Sequence, residues 1–132
     1  VAWEKKPDAP YSFLELRDGK VLAAFAVMCR EVNTEYTYTI QTLCVDPSYL
    51  GKGIDARLLE LIEAEALRLG VSAILRFELS SEKWRAFGEG AFDARGYALI
   101  GHIPSFYAPG NDYFMYAKHI HRNMRQGEKG EQ

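Results

Sequence analysis

The chain has 132 residues, 48% of them apolar and 26% charged, with a net charge near −2 at pH 7. That length suits one hydrophobic core and one domain, and the composition is that of a folded globular protein. The near-neutral charge offers no basic field for nucleic acid and no apolar run reaches the length of a membrane span, so neither partner is expected and the cytoplasm is the expected compartment.

Residues 1–10 are polar and proline-bounded and read as the end of a connection, and Val1 in place of an initiator methionine points to a trimmed front. Residues 11–16 and 21–30 are apolar runs joined by Asp18-Gly19, a hairpin turn pair. Asn33-Thr34 then turns the chain into residues 36–45, a third strand rich in Thr, Tyr and Val, which Pro47 ends. Cys29 and Cys44 fall in these apolar runs, where reduced core thiols are expected.

From Ile54 the period becomes helical. Ile54, Leu58, Leu61, Ile62, Ala66 and Leu69 share one face, and Gly70 is the expected C-terminal cap. Residues 71–79 alternate, with Leu75, Phe77 and Leu79 opposing Arg76 and Glu78, and predict a strand. Ser80 or Ser81 caps a second helix running to about Ala94, although Gly88 and Gly90 lie inside it; Gly96 stops it. Residues 97–103 and 113–120 are the final strands, with 104–112 as a loop between them. Residues 122–132 are charged and glycine-bearing and read as a disordered tail, leaving a single domain over residues 1–121. The order predicts an α/β protein of α+β type, whose mixed, mostly antiparallel sheet has a parallel β-α-β crossover at its centre.

The strand-to-helix junction carries the chemistry. Gly51 and Gly53 bracket Lys52 where a helix begins, so unpaired backbone N–H groups, the positive end of the helix dipole and a cation coincide. The expected guest is a phosphate or pyrophosphate. The spacing is neither the dinucleotide-binding glycine fingerprint nor a P-loop.

The run Val45-Asp46-Pro47, Tyr49, Gly51-Lys52-Gly53-Ile54 and Leu58-Leu59 is followed by a strand, a helix ending in Arg95-Gly96-Tyr97, and a closing Ser105-Phe106-Tyr107-Ala108-Pro109-Gly110-Asn111-Asp112-Tyr113 segment. Together these resemble the GNAT superfamily of N-acetyltransferases, over roughly residues 13–119. The resemblance implies a GNAT-like acyl-CoA N-acyltransferase fold and acetyl-CoA as co-substrate, without a metal. It implies direct attack on the thioester by a primary amine, either a small molecule or a peptide N-terminus. The implied pyrophosphate-binding set is Leu50, Gly51, Lys52, Gly53, Ile54, Asp55, Ala56 and Arg57. The pantetheine arm is expected between splayed strands 36–45 and 71–79, on backbone groups of Leu43 and Val45.

Phe106 and Tyr107 are expected at the acceptor site. Tyr107 is also the candidate acid and Glu35 the candidate base, while Gln41 could order a water. His119 and His121 read as a solvated strand end rather than a metal site. Four departures from the family pattern stand out. Leu50 replaces a Gln or Arg, Asp55 a Gly or Ala, and Phe92 the Tyr that protonates the leaving thiolate. The fourth is the ten-residue front, where the family has a strand and two helices; the sheet edge this would bare favours a homodimer. These departures define an alternative, a catalytically impaired CoA-binding regulatory or interaction module.

Overall fold

The computed structural model describes residues 2–4, 11–68, 70–88 and 90–122. Among them seven strands form one sheet in the order β1-β2-β3-β4-β5-β7-β6. The strands are β1 (Ala2–Glu4), β2 (Tyr11–Asp18), β3 (Val21–Arg30), β4 (Thr37–Val45), β5 (Ser72–Ser80), β6 (Ala98–Ala108) and β7 (Asn111–His121). A 3-10 turn at Pro47–Tyr49 leads into helix α1 (Ile54–Ala66), which carries the chain from β4 to β5; α2 (Ser81–Phe87) and α3 (Ala91–Ala94) follow β5. β4 and β5 are parallel, and the other neighbouring pairs are antiparallel. This is the expected mixed sheet with its central crossover. Among the described residues no helix is long and apolar enough to cross a membrane.

Alternation places the core. Leu14 and Leu16 of β2, Ala24, Ala26 and Met28 of β3, and Ile40 and Leu43 of β4 are buried with Leu58, Leu59, Ile62 and Ala66 of α1. β5 adds Ala73, Leu75, Phe77 and Leu79 to the same cluster, which also takes in Phe87 of α2, Phe92 of α3, Tyr97, and Phe114, Tyr116 and Ile120 of β7. All three helices therefore cover one face of the sheet. Each fully buried leucine or phenylalanine contributes about 1.5–3 kcal/mol by leaving water. Tyr97 ties the layers together: its hydroxyl donates to Glu63 Oε2 of α1 at 2.8 Å. Burial, reinforced by Glu63, pushes its pKa far up, so it remains a donor.

Five expectations change. Residues 2–4 form a strand against residues 13–15, so the sheet edge on which the homodimer expectation rested is paired there; residues 5–10 lie outside the described residues. The helix expected to run to Ala94 breaks into α2 and α3, because Gly88 (φ 101°) and Gly90 (φ 79°) adopt conformations closed to other residues. α1 ends at Ala66 with Leu67 as its cap, and Gly70, which has no positive φ, is not the cap; Leu69 lies outside the described residues.

Residues 104–112 are not a loop. β6 runs on to Ala108 and a tight turn at Pro109-Gly110 enters β7 at Asn111. Pro104 is tolerated because β6 is the edge strand, where a missing N–H breaks no ladder. Irregular register between Ile103 and Ala108 is stitched by Asp112, whose Oδ1 accepts the Ser105 N–H at 2.8 Å, and by Ser105 Oγ, which accepts the Gly110 N–H at 3.1 Å. Cys29 and Cys44 are free thiols but half-buried rather than core. The tail expected to be disordered lies outside the described residues from 123 onward. Arg122 still belongs to the fold, its N–H donating to Val71 O at 2.8 Å.

Candidate functional site

The strand-to-helix junction is an ordered series of turns. Asp46 caps the 3-10 turn: its Oδ1 accepts the Ser48 hydroxyl at 2.7 Å and the Ser48 N–H at 2.9 Å. Those two bonds hold its carboxyl below the usual carboxylate range. Tyr49 donates to Asp18 Oδ2 at 2.7 Å, anchoring the turn on the β2–β3 hairpin. Gly51 (φ 78°) and Gly53 (φ 86°) are left-handed, and a Cβ on either would meet nothing within 4 Å. Conformation, not crowding, demands glycine here.

Gly53 is the N-cap of α1, with its carbonyl accepting the Arg57 N–H at 3.0 Å. Among the described residues, the N–H groups of Gly51, Gly53, Ile54, Asp55 and Ala56 find no acceptor. Five donors thus lie at or just before the positive end of a 13-residue helix. Lys52 is exposed beside them, and Arg57 is exposed and pairs with Glu60 at 3.6 Å. Asp55 stands in the first turn, but its carboxylate takes none of these N–H groups.

The second part is a gap in the sheet. β4 and β5 pair only at Thr37↔Ile74, Tyr38↔Leu75 and Thr39↔Arg76, and beyond Arg76 the two parallel strands diverge. Asp46 N–H bonds to Ala23 O of β3 at 2.8 Å, so by alternation the backbone groups of Leu43 and Val45 face the gap. A cleft of about 120 Å³ opens there, lined by Leu43, Cys44, Val45, Leu50, Lys83, Ala86 and Phe87. Leu50 therefore joins the cleft to the glycine turn. Lys83, which sequence reasoning did not single out, reaches across it, its Nζ donating to Leu43 O at 2.7 Å. The signal was its position in the first turn of a helix that directly follows a splayed strand.

The third part is the sheet face away from the helices. Arg76 bonds Glu31 Oε2 at 2.8 Å and Glu78 Oε2 at 3.1 Å, and Thr39 donates to the same Glu31 oxygen. Glu78 Oε2 also accepts the Tyr113 hydroxyl at 3.1 Å. Burial and that bond raise the pKa of Tyr113. Phe106 and Tyr107, 54% and 49% exposed, gather on Tyr113 with ring centroids 5.0 and 6.5 Å away. Glu78 is the first carboxylate on β5 past the last β4–β5 pair.

The structure thus joins Leu43, Val45, Leu50 and residues 51–57 along one continuous path, and brings Phe106 and Tyr107 to Tyr113 and Glu78. It does not bring Glu35 to either group. Glu35 lines a separate depression with Thr34, Tyr36, Thr37 and Ile74 before β4. It precedes β4, of which Thr37 to Leu43 alone spans about 20 Å. Phe92 is 1% exposed and packed on Phe77, Phe87 and Tyr116 at 4.8, 5.4 and 5.4 Å. Tyr116 is buried beside it, and its hydroxyl accepts the Trp84 Nε1–H at 2.9 Å. His119 and His121 stack on each other at 4.5 Å, with Tyr36 against His119.

Splayed parallel strands thus meet a helix N-terminus whose N–H groups find no acceptor among the described residues. The sequence profile of the acetyltransferase (GNAT) family matches residues 1–88, and the chain belongs to that family. The ribosomal-protein-S18-alanine N-acetyltransferase of Escherichia coli superposes with a TM-score of 0.71 at 23% identity, over 85% of this chain and 70% of that one. An IAA acetyltransferase of Bacillus cereus superposes with a TM-score of 0.70 at 15% identity, over 84% and 79% of the two chains. The structure of yncA from Salmonella typhimurium with its cofactor acetyl-CoA gives 0.64 at 18% identity, over 81% and 63%. At these identities the likeness is one of fold. A search of curated proteins finds no match.

Proposed function

We propose that the chain is an acetyl-CoA-dependent N-acetyltransferase whose acceptor is a primary amine, on a small molecule or a peptide N-terminus. The observation that carries this reading is the set of five acceptor-less N–H groups between Gly51 and Ala56, continuous through Leu50 with the cleft at Leu43 and Val45. The donor set fits a pyrophosphate: five N–H groups, the exposed Lys52 and Arg57 beside them, and no carboxylate occupying the donors. Leu43 and Val45 would bond the amides of the pantetheine arm. Bound acetyl-CoA would supply an acetyl group activated as a thioester.

The chain's own groups would handle the acceptor. Phe106, Tyr107 and Tyr113 would flank the amine. Glu78 would take its proton on Oε1, since Oε2 already accepts from Arg76 and Tyr113. Glu78 replaces Glu35 as the base in this reading, because it borders the strand gap and Glu35 does not. Tyr107 is the candidate donor to the departing thiolate.

Phe92 favours the second reading, a CoA-binding module that no longer transfers acetyl groups, because a ring without a hydroxyl can give no proton. Calorimetry with CoA, followed by thiol release across a panel of amines, separates the two. Binding with amine-dependent thiol release supports the enzyme; binding without release supports the module; no binding at millimolar CoA overturns both.

Asp55→Asn probes the cradle directly. The carboxylate lies within one helical turn of the anion site and has no partner among the described residues, and a unit charge about 4 Å away in water is worth about 1 kcal/mol. The variant is expected to bind CoA about fivefold more tightly in calorimetry. It should lose about 0.3–1 kcal/mol of stability in urea unfolding, as a favourable charge leaves the helix N-terminus. Unchanged affinity would mean that the carboxylate points clear of the phosphates.

A further inference from the structure

We propose that Lys83 is a self-acetylation site, the ε-amine acting as an intramolecular acceptor inside the cofactor cleft. The proposal rests on the acetyl-CoA reading above, and it adds a substrate that lies within the chain. Lys83 stands in the first turn of α2, and its backbone is fixed because its N–H donates to Ser80 Oγ, the helix cap, at 3.3 Å. From there the side chain spans the gap between β5 and β4. Its Nζ lies 2.7 Å from Leu43 O and 3.7 Å from Cys44 Sγ.

Two features separate this lysine from the others. First, it is half-buried without a carboxylate: among the described residues, the partners of its Nζ are that carbonyl and that sulfur. Lys118, the comparable half-buried lysine, is paired with Glu63 at 3.1 Å. Second, the carbonyl it occupies belongs to the backbone that would hold the thioester-bearing arm. The arm and the amine compete for Leu43 O, so an arm seated on Leu43 and Val45 leaves the amine beside it in a cleft of about 120 Å³.

The chemistry balances with acetyl-CoA as the only co-reactant. The Lys83 ammonium loses a proton to solvent through the open mouth of the cleft. The nitrogen lone pair forms a bond to the thioester carbonyl carbon and the carbon–sulfur bond breaks. Coenzyme A leaves as the thiolate and takes up the second amine proton. The products are an uncharged acetyl-lysine and the free thiol. Leu43 O thereby loses its cationic partner, and the added acetyl group stands where the arm would lie.

The test uses the unmodified chain. Incubation with acetyl-CoA followed by peptide mass mapping should acetylate Lys83 about tenfold or more faster than the exposed Lys20, through proximity. The rate should saturate with acetyl-CoA and be independent of protein concentration. A second readout needs no acetyl transfer. Free CoA should protect Lys83, and not Lys20, from labelling by acetic anhydride. Lys83→Arg, which keeps the cation, should abolish the fast modification. If CoA binds in calorimetry but Lys83 reacts no faster than Lys20, or no faster than in the urea-unfolded chain, self-acetylation is overturned alone. If CoA neither binds nor protects, it falls together with the cofactor reading.

Discussion

Phe77→Ala is expected to cost about 3–5 kcal/mol of folding free energy. It should lower the midpoint of thermal unfolding by roughly 10–15 °C. Phe77 is 1% exposed at the centre of β5, the strand that α1 and α2 overlie and against which Phe92 of α3 packs. Its ring meets Phe92 at 4.8 Å, Tyr97 at 5.3 Å and Tyr116 at 5.7 Å. Removing it opens a cavity walled by rings that cannot collapse inward, because Tyr97 is tied to Glu63 and Tyr116 to Trp84. The cavity term therefore adds to the lost transfer free energy. Phe77→Leu, which refills part of the volume, should cost about 1–2 kcal/mol. Equal losses for the two variants in urea unfolding would mean that the cluster repacks freely.

Much of this arrangement could be read from the chain before any coordinates. The alternation of Leu75, Phe77 and Leu79 against Arg76 and Glu78 places β5 and both its faces, because a strand's period of two leaves one choice of register. The glycine turn was legible for a similar reason: two left-handed positions flanking a helix start leave glycine as the favoured residue. What was not legible depends on how distant segments meet. Pro104 looks like a loop residue until β6 is known to be an edge strand, where a missing N–H does no harm. Gly88 and Gly90 were visible as weak points in a helix, but that both turn left-handed and split it in two is decided by packing of Phe87 and Phe92 into one cluster.

The candidate site divides along the same line. Leu43, Val45, Leu50 and residues 51–57 lie close in sequence, so one local motif covers the whole candidate cradle. Glu78 and Lys83 do not announce themselves. Glu78 matters only because the β4–β5 ladder stops at Arg76, and Lys83 only because its side chain crosses the resulting gap. Glu35 looked eligible as a polar residue near the third strand. It lies before β4, where the chain leads into the paired end of β4 and β5, and the opening is at the other end.

Glu78→Gln is expected to lower kcat/KM for acetyl transfer by about 10²–10³-fold while leaving CoA binding unchanged. The substitution is nearly isosteric, and the local network survives it. Arg76 keeps Glu31 at 2.8 Å, and the glutamine carbonyl can still accept the Tyr113 hydroxyl. A loss of rate therefore reports the missing base rather than a disturbed sheet, which urea unfolding of the variant would verify. Glu35→Gln is the counterpart, expected to change kcat/KM by less than about twofold, since about 20 Å of strand, Thr37 to Leu43, separates it from Leu43. Should the two variants exchange behaviour, the acceptor amine approaches from the paired end of β4, and the aromatic group of Phe106, Tyr107 and Tyr113 is no part of its site. In the proposed enzyme a thiolate leaves readily even with Phe92 in place of an acid, so the first proton transfer, from the amine to Glu78, is the step on which the rate would depend most.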